Sequence, residues 1–449
     1  MVRDDEGAPG RDGWGGARLE RYSPEATEEQ PRLGPRAMLA YACASLGTGA
    51  FYAFNNAALP LFLRPLTGSD VLIGLLSSTR SIEGAVVQPL VGTWSDRLRS
   101  PLGRRRPFFV AAVPLAAAVL ALTPLAPSLG WTIAAIVVYS LLFNLAADPY
   151  TALLADLAPL WQRGTLSSLA ALVQFVGQVG VTVAIALLGE RGIPPAAFGL
   201  VAATLVGSFA VTIVGVREPP PGRDGSPRVP WREYAASLLA CREALRFFVG
   251  LFALYFGLNA VVPFLTLYAV NEIGASESTA LLLFVVVVAV TGVLAVPFGR
   301  LGDRGALVIP GSGGRWRLRV GPAPAYRRLL AFGIVVQAIA ALLGTVATSL
   351  PQLVVLLVLA GVGNAALTVL WWPLLTQLIP PERSGVFAGL SATVQSVALP
   401  ASVVLAGFLI DYFRTYRVTF VVLALASLVA LAVIATVRLP VAPPQPAAD

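Results

Sequence analysis

The stretch Gln88-Pro89-Leu90-Val91-Gly92-Thr93-Trp94-Ser95-Asp96-Arg97-Leu98-Arg99-Ser100-Pro101-Leu102-Gly103-Arg104-Arg105-Arg106-Pro107-Phe108-Phe109 joins one apolar run to the next. Between those runs lie five arginines and one aspartate, so the stretch reads as a tight turn at a membrane surface. Basic loops stay on the cytoplasmic side, which places this turn inside. Arginines that only set topology would need neither Gly92 and Gly103, which permit close backbone approach, nor Asp96, which supplies the counter-charge.

Composition outside the turn agrees. Of 449 residues, 56% are hydrophobic and 12% charged, against roughly 25% charged in an average soluble domain. The chain therefore reads as a polytopic membrane protein. All 32 basic residues are arginine and histidine is absent, which removes the usual proton carrier near neutral pH and the commonest metal ligand. Proton chemistry then falls to carboxylates, and no cofactor or metal is expected. The net charge of +8 sits in loops on one side, where insertion topology explains it without nucleic acid. Cys43 and Cys241 are too few and too far apart for a disulfide framework or a CxxC metal site. Residues 1–36 are polar and glycine-rich, lack the apolar core of a signal peptide, and read as a disordered cytoplasmic tail.

A bilayer core needs about 20 apolar residues per helix. On that ruler the spans run Met38 to Leu63, Val71 to Thr93, Phe108 to Leu125, Trp131 to Leu154, Leu166 to Leu188 and Ala196 to Val216. A second set runs Leu245 to Val270, Thr279 to Phe298, Leu329 to Leu350, Gln352 to Leu375, Val386 to Ile410 and Arg417 to Val437. The expected fold is all-α, with twelve transmembrane helices in two six-helix bundles and both termini cytoplasmic. Its parts are the tail 1–36, an N-terminal bundle 37–216, a linker 217–243, a C-terminal bundle 244–438 and a tail 439–449. With the amino terminus inside, only Arg64, Arg191, Arg414 and Arg417 fall in outer loops, and Arg80 lies in the membrane.

An internal repeat supports the same division. Gly92-x-x-x-Asp96-Arg97 recurs as Gly299-Arg300-Leu301-Gly302-Asp303-Arg304, and Leu157-Ala158-Pro159 with Gly164 recurs as Leu378-Ile379-Pro380 with Gly385. The second half carries extra residues in the loop Gly305 to Arg328, where an insertion costs little. Parallel repeats predict a substrate path between the halves near the midplane.

The pattern Gly-x-x-x-Asp-Arg followed by Gly-Arg-Arg-Arg-Pro-Phe resembles the loop between helices 2 and 3 of the major facilitator superfamily. The longer string Gln-Pro-x-Val-Gly-x-x-Ser-Asp-Arg-x-x-Ser-x-x-Gly-Arg-Arg-Arg-Pro-Phe resembles the sucrose/proton symporters, a branch of the glycoside-pentoside-hexuronide cation symporters. The resemblance implies a twelve-helix secondary transporter of the plasma (inner) membrane. In the plant sucrose carriers the coupling aspartate matches Ser140 of this chain, and an arginine is replaced here by Thr151. Asn144, Pro149 and Ala152-Leu153-Leu154-Ala155-Asp156 are retained. The melibiose-type relatives carry acidic cation ligands on helices 2 and 4.

An Asp or Arg at the centre of a span costs about 2.5 to 3.5 kcal/mol on translocon scales, so such residues are functional candidates. Three lie well inside spans: Arg80 and Glu83 on helix 2, and Asp148 on helix 4. Arg80 and Glu83 share one helix face and can neutralise each other. Asp148 sits beside Pro149, whose missing amide loosens the helix. Asp148 is expected to couple transport to a proton; if Arg80 holds it, Glu83 becomes the free acid. Sodium stays open as the coupling ion.

Uncharged polar residues mark the path. Ser45, Thr48, Tyr52, Asn55 and Asn56 form a stripe on helix 1, with Asn144 on helix 4 and Ser167, Gln174 and Gln178 on helix 5. In the second half the candidates are Tyr255 and Asn259, then Asn364, Thr368, Trp371 and Trp372, then Ser391 and Gln395. Amides and hydroxyls in lipid also bind neighbouring helices; together with an aromatic face, however, this mixture suits a hydroxylated ligand. Gly92, Asp96, Arg97, Gly103, Arg104, Arg105 and Asp156, with Gly299, Asp303 and Arg304, are expected to form cytoplasmic latches.

The resulting expectation is a monomeric carrier in the lipid bilayer that moves a sugar or glycoside with a proton by alternating access. A proton-driven exporter of drugs or metabolites and a non-transporting, receptor-like member are the other readings. A membrane-embedded enzyme would need a nucleophile and base or a metal cluster, which this composition hardly supplies.

Overall fold

The computed structural model describes residues 32–79, 91, 95, 98, 100–188, 192–218, 242–304, 306–311, 314–319, 322–379 and 384–439. Among them, eleven helices are long and apolar enough to cross a membrane, and Asp70–Thr79 is a shorter apolar helix. In chain order these are α1 (Pro35–Leu63), α2 (Asp70–Thr79), α3 (Arg106–Leu125), α4 (Leu129–Leu157), α5 (Leu160–Leu188) and α6 (Pro195–Gly215). The second half contributes α7 (Arg242–Asn271), α8 (Glu277–Arg304), α9 (Pro322–Val346), α10 (Leu350–Thr376), α11 (Ser384–Phe413) and α12 (Arg417–Thr436). Most helices extend a few residues past the apolar windows, because a hydropathy ruler sees the lipid-facing length and helical hydrogen bonding continues into the polar borders.

Packing repeats with a period of six helices. In the first half α1 packs on α5 and α6, and α3 packs on α4 and α6; in the second, α7 packs on α11 and α12, and α9 on α10 and α12. Each half is thus one six-helix bundle. The α1–α5 crossing depends on glycine: a Cβ on Gly49 would collide with the Gln174 carbonyl, and one on Gly177 with the Leu46 carbonyl. Both backbones therefore touch directly, as small residues allow in membrane helix pairs. α5 also packs on α8, α1 on the end of α7, and α2 on α11, so the bundles meet along three seams.

Two departures from the sequence reading bear on function. Helix α1 contains a π turn at Phe54–Ala58, a local widening that re-aims side chains. The stretch read as a plain loop after α8 contains an antiparallel hairpin, β1 (Ala306–Gly311) and β2 (Gly314–Arg319).

The apolar core is divided unequally. One cluster runs through the whole first bundle and into the arginine-poor end of the second, from Tyr41 and Phe51 to Phe264, Ile410 and Phe420. A separate cluster, including Phe247, Leu330, Leu374 and Phe387, fills the arginine-rich end of the second bundle alone. The two halves are fused at one end and have independent cores at the other.

Candidate functional site: a neutral cavity and two end clusters

A cavity of about 250 Å³ lies in the second bundle against α1. Its polar lining is Asn56 from α1, Tyr255 and Asn259 from α7, Gln337 from α9 and Asn364 from α10. Leu258, Val287, Leu356 and Phe420 are among its apolar walls. Among the described residues no Asp, Glu or Arg lines it. The wall suits a neutral ligand that exchanges hydrogen bonds with amides and a phenol.

Local structure explains the polar positions. Tyr255 and Asn259 are four apart on α7 and share a face. Asn364 Nδ2 donates to Thr291 Oγ1 of α8 at 3.1 Å, and Thr291 Oγ1 donates to the Gly361 carbonyl at 3.3 Å. That anchor fixes the Asn364 amide. Asn55 and Asn56, as neighbours in sequence, do not share a helix face: Asn56 reaches the cavity, whereas buried Asn55 donates from Nδ2 to the Phe51 carbonyl (2.8 Å) and accepts from Tyr139 Oη (3.2 Å). The helix 1 stripe read from the sequence is therefore split. Ser45 exchanges a hydrogen bond with Tyr150 Oη at 2.7 Å, inside the first bundle.

Four predicted ligand residues, Asn56, Tyr255, Asn259 and Asn364, meet in this one cavity. Tyr52, Asn144, Gln174, Gln178, Trp371, Trp372 and Gln395 do not line it. Tyr52 stands edge-on to Phe143 with centroids 5.7 Å apart, and Asn144 is buried in α4. Gln174 and Gln178 are half-buried on α5. Trp371 and Trp372 stand edge to face at 5.4 Å, against the core of the arginine-rich end. Gln395 is half-buried on α11. Gln337 was missed because α9 shows a single amide among apolar residues, and no stripe marks it.

Asp148 is half-buried in α4 and followed by Pro149 inside the helix. Two residues on, Tyr150 stacks on Tyr41 at 4.8 Å and donates to the Tyr41 carbonyl at 3.0 Å, which fixes this part of α4 against α1. Arg80 and Glu83 lie outside the described residues, as do Gly92, Asp96 and Arg97.

At the arginine-rich end the turn before α3 is held from two sides. Gly103 has φ +101, a conformation that favours glycine. Asp156, at the end of α4, pairs with Arg104 and with Arg105 Nε at 2.8 Å, while Arg105 Nη1 donates to Ser95 Oγ at 2.8 Å. Glu218, which no motif marked, accepts the backbone amides of Arg104 (2.8 Å), Arg105 (3.1 Å) and Arg106 (2.8 Å). A carboxylate there complements the positive end of α3. In the second half Gly299 is half-buried on α8, and the side chains of Asp303 and Arg304 lie outside those described.

The arginine-poor end ties the bundles together. Asp411 of α11 accepts the Asp70 amide at 3.0 Å, capping α2 from the other bundle, and Tyr416 Oη donates to Asp70 Oδ1 at 2.8 Å. Arg64 pairs with the same Asp70 at 3.3 Å. Thr266 Oγ1 donates across the seam to the Ala57 carbonyl at 3.1 Å. Beside this knot, Glu272 accepts from Thr415 Oγ1 (2.6 Å), the Tyr416 amide (3.0 Å) and Arg417 Nε (3.3 Å). Partial burial works against the Glu272 charge, but these donors outweigh it and hold its carboxyl below the usual range.

Two repeated six-helix bundles that are fused at one end and flank a neutral polar cavity define a polytopic membrane carrier. The model of the Major Facilitator Superfamily matches residues 37–323 and 305–449, and the chain belongs to that superfamily. Among curated relatives, the sucrose transport protein SUC4 of Arabidopsis thaliana is 30% identical over 151 residues, which is 30% of this chain and 29% of the relative. The proton-associated sugar transporter A of Homo sapiens is 36% identical over 80 residues, covering 18% of this chain and 11% of the relative. The chain thus aligns with less than a third of each of these relatives. Among solved structures, a D-xylose-proton symporter superposes with TM-score 0.66 at 18% identity, covering 90% of this chain and 98% of that one. A bacterial homologue of the human lysosomal transporter Spinster, in an inward-facing and unoccupied conformation, gives TM-score 0.67 at 15% identity over 90% and 98%. At these identities the superpositions show the fold.

Proposed function

We propose that the protein is a secondary active carrier that moves a small neutral, hydroxylated solute, a sugar or glycoside, together with a proton. The observation that carries this reading is the cavity itself: five uncharged hydrogen-bonding side chains converge there, and among the described residues no ionised group lines it. Such a wall exchanges hydrogen bonds with hydroxyls and penalises a charged ligand, whose desolvation nothing would offset. The sugar carriers among the aligned relatives support the same substrate class.

The proton falls to the first bundle. Asp148 is the coupling acid, with Arg80 tuning it and Glu83 the substitute if Arg80 holds Asp148. An acid set inside a spanning helix is the group that can load and release a proton as access alternates. The arginine-rich end faces the cytoplasm and both termini lie there, so the end at which the bundles are fused is the outer one. The knot at Asp70 and Asp411 closes the outer side. The cluster at Arg104, Arg105 and Asp156, with the turn around Asp96 and its repeat at Asp303, serves the cytoplasmic side when the cavity turns outward.

Uptake into proteoliposomes holding the purified protein tests this reading. Labelled sucrose or D-xylose accumulates faster under an inward proton gradient than without one. Accumulation driven by sodium alone would overturn the proton assignment.

A further inference from the structure

α9 packs on α10 and α12, and packing between membrane helices needs only apolar and small residues. Gln337 breaks that rule. It is 5% exposed, lines the cavity, and its Oε1 is buried with no hydrogen-bond partner. A buried amide oxygen left unpaired is costly, so a native structure that keeps one has a use for it.

The neighbouring helix makes room for this side chain. A Cβ on Gly363 of α10 would stand 2.6 Å from Gln337 Oε1 and 3.0 Å from Gln337 Cβ, so the glycine leaves the space in which the amide oxygen lies. The next residue, Asn364, lines the same cavity and has its own Nδ2 committed to Thr291. Ala340 and Ala341, one turn along α9, also line the cavity and leave space beside the amide. Gln337 therefore borders the cavity while its unspent acceptor is packed against Gly363, and a half-turn of the amide about its last torsion would exchange Oε1 and Nε2.

We infer that Gln337 is a specificity-determining residue: with its amide turned from Gly363 toward the cavity, Oε1 accepts a hydrogen bond from one hydroxyl of the neutral solute, so α9 reads the ligand directly. The inference rests on the reading of the protein as a carrier of hydroxylated solutes. A site built to pair with a hydroxyl rejects an analogue lacking it, because the protein group is then left unpaired.

Calorimetric titration of the detergent-solubilised protein with sucrose, D-xylose and the monodeoxy derivatives of each tests it. In the wild type, one monodeoxy derivative of the better-binding sugar binds about tenfold more weakly than the parent. In Gln337→Leu the parent itself weakens about tenfold, and the gap between parent and that derivative closes. A purely packing role would weaken parent and derivative alike and leave the gap open. Gln337→Met, which keeps the side-chain length, gives the same closure if the leucine variant does not fold. An unchanged gap in the variants would overturn the inference and leave the carrier reading intact. Wild-type protein that binds none of these sugars would overturn the inference, and the proteoliposome uptake measurement would report separately on the carrier reading.

Discussion

The two bundles share one architecture and use their polar residues in opposite ways. In the first, the polar side chains mostly bind one another or nearby backbone: Ser45 with Tyr150, Asn55 with Tyr139 and Phe51, and Thr212 Oγ1 with the Ala40 carbonyl. In the second, Tyr255, Asn259 and Gln337 line a cavity, and Asn364 reaches it while anchored by Thr291. Ionisable residues divide the other way. The residues read as deep inside spans, Arg80, Glu83 and Asp148, all belong to the first bundle, whereas the acids of the second sit at helix ends, as Glu243, Glu277 and Asp411 do. The difference teaches a division of labour. In the carrier proposed above, a neutral wall would recognise the solute without competing for the proton, and an acid elsewhere would handle charge without distorting recognition.

The largest expected effect breaks the charged side of that comparison. Asp148→Asn abolishes uphill accumulation, a loss of at least about tenfold, while exchange of labelled for unlabelled solute continues. Full accumulation by the variant would move the coupling role to Glu83. The neutral side is weighed next. Asn259→Ala raises the half-saturating solute concentration about tenfold, as loss of one well-placed hydrogen bond does, and leaves the number of protons carried per solute unchanged. A changed proton count with unchanged affinity would reverse the assignment of the two bundles.

A smaller effect belongs to the knot where the halves meet. Asp411→Ala removes the cap on α2 and costs about 1 kcal/mol of stability, read as a lowered midpoint of thermal unfolding in detergent. An unchanged midpoint would mean that the apolar seam alone fuses the bundles. The smallest effect is a pH dependence. Because the Glu272 carboxyl is held below its ordinary value of 4.5, its stabilisation is fully present above that value and fades as pH falls through the lower, folded one. Glu272→Gln therefore flattens the acid limb of the stability profile below about 4.5 and leaves the neutral region's slope alone; the same acid limb in the variant would place its source elsewhere.

How much was legible in the sequence follows from the kind of signal each feature leaves. Span order and the sixfold repeat were readable because lipid demands long apolar runs and the Gly-x-x-x-Asp-Arg turn recurs. Tyr255 and Asn259 were readable because a four-residue spacing puts them on one face. Which of Asn55 and Asn56 faces the cavity was hidden, since neighbours in sequence do not share a helix face and only the packed bundles show what each side chain meets. Gln337 was hidden because a lone amide on an apolar helix has no period. Glu218 was hidden because its role is to meet three backbone amides, which no side-chain pattern records. The cross-bundle cap at Asp411 joins residues far apart in the chain, so only the fold shows it.

The most direct test follows protons rather than solute. Proteoliposomes loaded with a pH-sensitive dye, with no imposed gradient, receive an inward pulse of the transported sugar. The account predicts internal acidification with wild-type protein and with Asn259→Ala at a raised sugar concentration, and none with Asp148→Asn even though labelled sugar still exchanges. Acidification by Asp148→Asn equal to wild type would contradict it.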